Sequence, residues 1–256
     1  MLSELSTLGP LVLTSALMLG LVAGLVKGMT GFALPMILVS GLGSILSPEL
    51  ALAGLILPAL ISNLWQAFRQ GGRAALASAK EHWRYMAMVL LFIAMSSQIV
   101  LSIPANLLFL ILGLTITAFT SLQLAGWQPQ IAPENKGRAE LGVGTLAGVL
   151  GGLTGTWGPP TVLYLTALGT PKIEHVRAQG VIYASGAVVL TLAHLQSSVL
   201  SGAGLGLSVG LILPCLLGMG VGFAIQDRLD QQRFRMVVLV VLALAGLNLI
   251  RRGVFG

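Results

Sequence analysis

The sequence predicts an all-α polytopic membrane protein built from two inverted repeats, each a broken-helix hairpin followed by three transmembrane helices, with eight to ten membrane segments in all. Three observations lead to this fold class: an apolar composition, two long segments without charge, and an internal duplication. Apolar residues make up 55% of the 256 residues and charged residues only 9%, whereas soluble domains carry about a quarter charged residues. The apolar segments are continuous rather than alternating, which favours helices over a β-barrel.

Two segments, residues 85–133 and 178–226, contain no Asp, Glu, Lys or Arg. Each has room for two spans of roughly 20 residues with a turn between them. The net charge of +6 comes from basic residues that flank the apolar segments. This distribution is typical of cytoplasmic loops and does not indicate nucleic-acid binding. The single cysteine, Cys215, lies in an apolar segment, where we expect a buried thiol.

The duplication pairs residues 20–35, GLVAGLVKGMTGFALP, with residues 144–159, GTLAGVLGGLTGTWGP. Seven of the sixteen positions are identical, among them a Thr-Gly pair and the proline that follows it. Glycine and proline break a helix, and a break at membrane depth is stable only inside the protein or beside a polar cavity. The arms of the second copy, 140–152 and 158–169, are too short to cross the bilayer separately. We therefore expect each copy to form a re-entrant hairpin.

Two topologies compete, and positive charge distinguishes them. If each duplicated region is one bent span, the chain has eight spans and parallel halves, and at best eight Lys and Arg residues lie inside. If each is a hairpin with both ends on the same side, the halves are inverted and 11 of the 14 Lys and Arg residues lie inside. The sequence therefore favours inverted halves with both termini outside. Arg251 and Arg252, which would then lie outside, are the main objection.

The predicted organisation has a first repeat, a short cytoplasmic linker and a second repeat. The first repeat covers residues 1–126 and the linker covers 127–139. The second repeat covers 140–256. In the first repeat we predict a hairpin at 9–46 and spans at 48–68, 84–101 and 104–125. In the second we predict a hairpin at 140–169 and spans at 172–197, 204–226 and 233–251.

The two broken helices are expected to meet near the bilayer midplane, as in other inverted-repeat transporters. Their free backbone N–H groups and threonine hydroxyls would bind an anion. Lys27 would add one positive charge, since the matching position in the second copy is Gly151. The candidate substrate-binding residues are Lys27, Gly28, Thr30, Gly31, Asn63, Gln66, Gly152, Thr154, Gly155, Thr156, Trp157 and Tyr183.

Each of these residues also has a structural interpretation. Lys27 could extend to a membrane interface, and the glycine segments could serve helix packing alone. Asn63, Gln66 and Tyr183 could form hydrogen bonds between helices, while Trp157 could be a packing aromatic. His175 is the candidate for proton coupling, although a solvated helix start explains it more simply.

Several enzyme and metal motifs are missing: the chain has no HExxH sequence, no Walker A sequence and no Cys/His cluster. We therefore expect no enzymatic activity, no metal and no cofactor. The expected partners are a small anion and the lipid bilayer, and a homo-oligomer is left open.

The duplicated motif is similar to that of the TauE/SafE family of sulfite and organosulfonate exporters. The late pattern Pro214, Gly218, Gly222 and the basic loop from Arg228 to Arg233 is also similar, so the resemblance covers nearly the whole chain. It implies transport of a sulfur-containing anion such as sulfite, a sulfonate, sulfoacetate or thiosulfate across the cell inner membrane. The leading hypothesis is a secondary carrier, most simply an exporter, that works by alternating access. The alternatives are a carrier for another small anion or a cation, and a membrane scaffold subunit that transports nothing.

Overall fold

The structure, a computed structural model, describes residues 9–127, 130–154, 157–196, 200–228 and 231–255, which form helices joined by short turns. No strand occurs within these ranges. The helices are α1 (Pro10–Thr30), α2 (Leu34–Leu42), α3 (Pro48–Phe68), α4 (Gly72–Glu81), α5 (Trp83–Ser96), α6 (Ala105–Leu124), α7 (Lys136–Thr154), α8 (Gly158–Ala167), α9 (Lys172–Gln196), α10 (Gly202–Gln226) and α11 (Gln231–Phe255). Two 3-10 segments lie at Ser97–Ser102 and Pro133–Asn135. Helices α1, α3 and α10 have the length and apolar composition that a membrane crossing requires.

The first hairpin consists of α1 and α2. Helix α1 ends where Gly31 takes the left-handed conformation, with φ of 88°, and its N–H donates to the carbonyl oxygen of Lys27. Such a position suits glycine because other residues place a Cβ against the backbone there. Helix α2 has only nine residues and folds back along α1, so that a Cβ on Gly41 would lie 2.7 Å from Leu19. The chain therefore turns back at this point instead of continuing as one bent helix.

The second hairpin consists of α7 and α8, with prolines at the start of α8 as at the start of α2. Helix α7 has 19 residues and begins at Lys136, so the expectation of a 13-residue arm at 140–152 is wrong. Lys, Arg and Glu propagate helices well, and the helix continues through them beyond the apolar segment. Helix α8 has 10 residues and remains a short arm.

Glycine contacts fix the relative direction of two long helix pairs. Along α1, Gly20 faces Leu211 and Gly28 faces Gly222 of α10. Along α7, Gly144 faces Met88 and Gly152 faces Ser96 of α5. Residue numbers rise together in both pairs, so each pair is parallel. The first arm of one hairpin thus packs against a long helix from the opposite half.

Two further pairs are antiparallel. In α3 and α9, Gln70 donates to the carbonyl oxygen of Ile173 and Gln66 to that of Val176. In α6 and α11, Gly113 faces Ile250, while Gly253 faces Leu110. Residue numbers fall in one helix as they rise in the other. Each pair joins the corresponding helices of the two halves.

The basic segment after α3 contains a helix that the sequence analysis did not separate from the loop. Helix α4 buries Ala75 and Ser78 and exposes Arg73 and Lys80, so it is amphipathic. The predicted span 84–101 likewise contains two elements, α5 and the 3-10 segment after it. Cys215 is buried in α10 and forms no disulfide.

Candidate substrate site at the hairpin tips

A small cavity lies where the two hairpin tips meet the antiparallel helices α3 and α9. The tips are in contact, since a Cβ on Gly158 would lie 3.7 Å from Met36 and 3.8 Å from Phe32. The cavity measures about 10 Å³, which is room for about one water molecule. Its walls come from both hairpins, α3 and α9, and are formed by Lys27, Phe32, Pro35, Met36, Asn63, Trp157, Gly158 and Tyr183.

Lys27 supplies the positive charge of this cavity. Its side chain is fully buried, with 0% exposed, and its ammonium group donates a hydrogen bond to the Asn63 side-chain oxygen. The Nζ atom also lies 5.7 Å from the centre of the Tyr183 ring, within the range of a cation–π interaction. Lys27 therefore does not extend to a membrane interface.

Trp157 and Tyr183 form the wall opposite Lys27. The Tyr183 hydroxyl donates to the carbonyl oxygen of Gly158 at 3.1 Å, which fixes the start of α8 against α9. The Trp157 ring meets the Tyr183 ring edge to face, with 6.4 Å between centres. Trp157 is buried, and its indole N–H has no hydrogen-bond partner in the described part of the chain.

Two glycines expected at the substrate site lie at close contacts between helices. A Cβ on Gly28 would lie 2.9 Å from the Cα of Gly222 in α10, and one on Gly152 would lie 2.6 Å from the carbonyl oxygen of Ile93 in α5. Neither glycine lines the cavity. The close approach of each hairpin to its long partner helix depends on them, as is usual for small residues at membrane helix interfaces.

Thr30, Gly31 and Gln66 lie at the first tip but outside the cavity. The Thr30 hydroxyl donates to the carbonyl oxygen of Val26 at 2.8 Å. Gln66 donates to the carbonyl oxygen of Val176 at 2.8 Å and lies beside Gly31. These residues shape the turn and attach it to α3 and α9. The Thr154 side chain, Gly155 and Thr156 lie outside the described residues.

The comparison with protein families is decisive. The family described as sulfite exporter TauE/SafE matches residues 16–249. The chain belongs to this family. It is therefore a multi-pass membrane protein that acts in transport rather than as an enzyme. No curated protein and no solved structure matches the chain.

The residues around the cavity of this TauE/SafE protein suit an anion. Lys27, the Trp157 N–H and the Asn63 side chain offer positive charge and polar donors, while Phe32, Met36 and Tyr183 exclude water. No carboxylate is among the cavity residues. An ammonium group in such a low-dielectric site binds negative charge much more strongly than it would in water.

A Gly-x-Ser-x-Gly sequence occurs at residues 206–210 of this TauE/SafE chain, but it lies within α10. A nucleophile elbow requires a sharp turn between a strand and a helix. Ser208 is fully buried, and its hydroxyl accepts a hydrogen bond from the Leu57 N–H at 3.0 Å. This serine joins α3 to α10 and is not a nucleophile.

The duplicated segments 27–35 and 151–159 pointed to the site, but Phe32, Pro35, Met36 and Gly158, which line the cavity, were not among the named candidates. Pro35 belongs to the duplicated motif, so its recurrence was a usable signal. Phe32 and Met36 are apolar residues among many, and nothing in the sequence distinguishes them. His175 is half-buried in the first turns of α9, and the cavity wall does not include it.

Proposed function

We propose that the protein is a secondary transporter of small sulfur-containing anions, such as sulfite, an organosulfonate, sulfoacetate or thiosulfate, in the cell inner membrane. The observation that carries this proposal is the fully buried charge of Lys27 at the place where both halves meet. A buried ammonium group without a carboxylate partner is costly, and binding an anion offsets that cost. Export is the simplest direction of transport, because a membrane potential that is negative inside favours outward movement of anions.

The helix directions support inverted halves. A two-fold axis along the membrane normal keeps exchanged helices parallel, whereas an axis in the membrane plane makes them antiparallel. The corresponding helices α3 and α9 are antiparallel, and so are α6 and α11. The same axis exchanges α1 with α7 and α10 with α5. It therefore relates the α1–α10 pair to the α7–α5 pair, and both pairs are parallel. These relations favour an in-plane axis, the arrangement that serves alternating access in other transporters.

The size of the cavity supports a transport cycle with movement at the tips. About 10 Å³ holds one water molecule but not a sulfur oxyanion with four or more heavy atoms. The substrate therefore enters only when Trp157, or Met36 of α2 and Phe32 of the turn before it, move. Because these side chains come from opposite hairpins, relative movement of the halves opens the cavity.

The alternative of a cation carrier is disfavoured by the same geometry. A cation would meet the Lys27 ammonium group, and none of the cavity residues is acidic. A scaffold subunit that transports nothing has no need of a buried lysine at the tip contact. The flux experiment distinguishes an anion transporter from both alternatives.

The test is counterflow in proteoliposomes loaded with sulfite, thiosulfate or sulfoacetate. We expect accumulation of at least one labelled anion, and its loss in Lys27→Ala and Thr154→Ala. Lys80→Ala is the matched control, because Lys80 is exposed on α4. Absence of flux for every anion tested, or flux unchanged by Lys27→Ala, contradicts the proposal.

A further inference from the structure

A second buried polar cluster lies at the other end of the α7–α8 hairpin and is not explained by the anion site. Its centre is Tyr164 of α8, whose hydroxyl donates to the Glu140 carboxylate of α7 at 3.2 Å. The same hydroxyl lies 3.3 Å from Nδ1 of His82, between α4 and α5. All three side chains are buried, with 4% of Glu140, 2% of His82 and 0% of Tyr164 exposed. A carboxylate, a phenol and an imidazole thus form one hydrogen-bonded chain.

Charged groups surround this cluster without pairing with Glu140. Lys136 of α7 lies 3.9 Å from Glu81 of α4, and Arg177 of α9 binds Ser78 and Gln70. Arg84 of α5 reaches towards Gly137. Within the described ranges Glu140 takes part in no ion pair. A buried carboxylate with a neutral phenol as its partner is costly in its charged form.

The cluster is connected to the anion cavity through α8. The Tyr85 and Tyr164 rings are stacked, with 4.3 Å between centres and 6° between planes. The Tyr85 hydroxyl lies 3.0 Å from the Thr161 hydroxyl, which donates to the carbonyl oxygen of Trp157 at 2.8 Å. Trp157 lines the cavity. A change in hydrogen bonding at Tyr164 therefore acts on the helix that carries a wall of the substrate site.

The first hairpin shows that the fold does not require this cluster. At the repeat offset of 124, the positions that correspond to Glu140, Thr161 and Tyr164 are Ala16, Ile37 and Ser40. All three are buried, with at most 8% exposed. The first hairpin packs with two apolar side chains and a serine where the second has a carboxyl group, a hydroxyl and a phenol. A buried polar group that packing does not require indicates a functional role.

We propose that Glu140, Tyr164 and His82 form a proton-binding site that couples proton uptake to the position of α8, and hence to anion transport. This inference rests on the proposed transport function. A proton that arrives at Nε2 of His82 releases the Nδ1 hydrogen to the Tyr164 oxygen, and the hydroxyl hydrogen passes to Glu140. His82 ends neutral, as the other tautomer, and Glu140 ends protonated.

Protonation changes the attachment of α8. With Glu140 ionised, the bond from Tyr164 is charge-assisted and holds α8 firmly against α7. With Glu140 protonated it becomes a bond between neutral groups, which is roughly half as strong. The proton therefore favours states in which α8, with Trp157, moves away from α7.

The first measurement detects the proton without any substrate. Infrared difference spectra of the purified protein are recorded across a pH step, and a carboxyl C=O band is expected in the wild type. The band should be lost in Glu140→Gln and shifted in its pH midpoint in Tyr164→Phe. Glu134→Gln is the matched control, because Glu134 is exposed on the neighbouring 3-10 segment. A band that persists unchanged in Glu140→Gln overturns the proton site, whichever anion is transported.

The second measurement detects coupling. Sulfite flux and internal pH are followed together in proteoliposomes. The wild type should show pH-dependent flux accompanied by proton movement, while Glu140→Gln should retain sulfite counterflow and lose the pH dependence. Glu140→Gln flux with the wild-type pH profile overturns the coupling. If neither the wild type nor any variant moves sulfite, the proposal of sulfite as a substrate is contradicted, but the infrared result still decides whether the proton site exists.

Discussion

The proposed anion site depends on the ammonium group of Lys27. The Lys27 side chain is fully buried and donates to the Asn63 side-chain oxygen at a place from which water is largely excluded. A lysine in this position acts as a point charge, and its flexible stem allows it to follow a substrate as the tips move.

Replacing this lysine by methionine should separate binding from stability. Lys27→Met removes a charge-assisted bond to the substrate, worth about 1.5–3 kcal/mol, so flux at low substrate concentration should fall about 10- to 100-fold. The apparent melting temperature in detergent should stay the same or rise, because a buried charge is removed without leaving a carboxylate unpaired. Flux assays and thermal unfolding of Lys27→Met and of the exposed control Lys80→Met check both expectations. Equal losses of flux in the two variants would contradict the role of Lys27.

The imidazole of His82 gives a pH dependence of stability. Burial lowers the pKa of His82, the adjacent Glu81 raises it, and Lys136 lowers it further. The folded protein therefore binds a proton at this group less readily than the unfolded chain does, and stability rises with pH. Stability should be unaffected above the ordinary histidine pKa of about 6.5 and should fall as the pH drops below it.

Thermal unfolding of the wild type and of His82→Gln at about pH 7.5 and about pH 5.5 tests this, since the two values bracket the ordinary pKa. The wild type should lose more of its apparent melting temperature on acidification than the variant does. An equal loss in both proteins would show that His82 does not contribute to the pH dependence.

At the scale of helices, the hairpins are positioned by the contacts of Gly28 and Gly152 with α10 and α5. Gly28→Ala and Gly152→Ala each place a methyl group against backbone atoms, and overpacking of this kind costs about 1–3 kcal/mol or more. Both variants should therefore lower the apparent melting temperature and the yield of folded protein.

Gly210→Ala is the matched control for these two variants, because Gly210 also lies inside a helix and no atom comes within 4 Å of its added Cβ. Alanine favours a helix over glycine by about 0.5–1 kcal/mol, so this variant should be as stable as the wild type or more so. Thermal unfolding of all three in detergent compares them. Equal melting temperatures for Gly28→Ala and Gly210→Ala would mean that α1 does not pack closely on α10.

The sequence was sufficient to predict the hairpins and insufficient to predict what their glycines do. The repeated Thr-Gly and proline identify the two breaks, and a lone lysine beside one of them identifies the charged site. Glycine spacing, however, has the same appearance whether the backbone approaches a ligand or another helix. The contact of His82 with Tyr164 depends on how α8 packs against the junction of α4 and α5, which no local pattern encodes.

At the scale of the whole molecule, the two halves share helix packing but differ in charge. The first half places a cation at its tip, whereas the second places a carboxylate and a phenol at the far end of its hairpin, where His82 of the first half joins them. If the halves are inverted and alternate as proposed, these groups would open towards different sides during one cycle. Anion binding and proton binding can then be alternated by a single movement of one half against the other.

The orientation of α9 decides between inverted and parallel halves. This helix has 25 residues, about 37 Å at 1.5 Å per residue, which is long enough for its two ends to lie on opposite faces of the membrane, as the predicted span 172–197 requires. With inverted halves, the exposed Pro171 before α9 lies on the cytoplasmic face and the exposed Ser201 after it lies outside. Parallel halves require the reverse at both positions.

Cysteine labelling with an impermeant maleimide distinguishes these outcomes. Cys215 is first replaced by alanine, which removes the buried native thiol. In intact cells, Ser201→Cys should be labelled and Pro171→Cys should not, while in inside-out vesicles the pattern should reverse. Arg73→Cys on the exposed face of α4 lies inside in both arrangements and checks the sidedness of each preparation. Labelling of Pro171→Cys in intact cells, with Ser201→Cys protected, would contradict inverted halves and with them an anion cavity that opens alternately to the two faces.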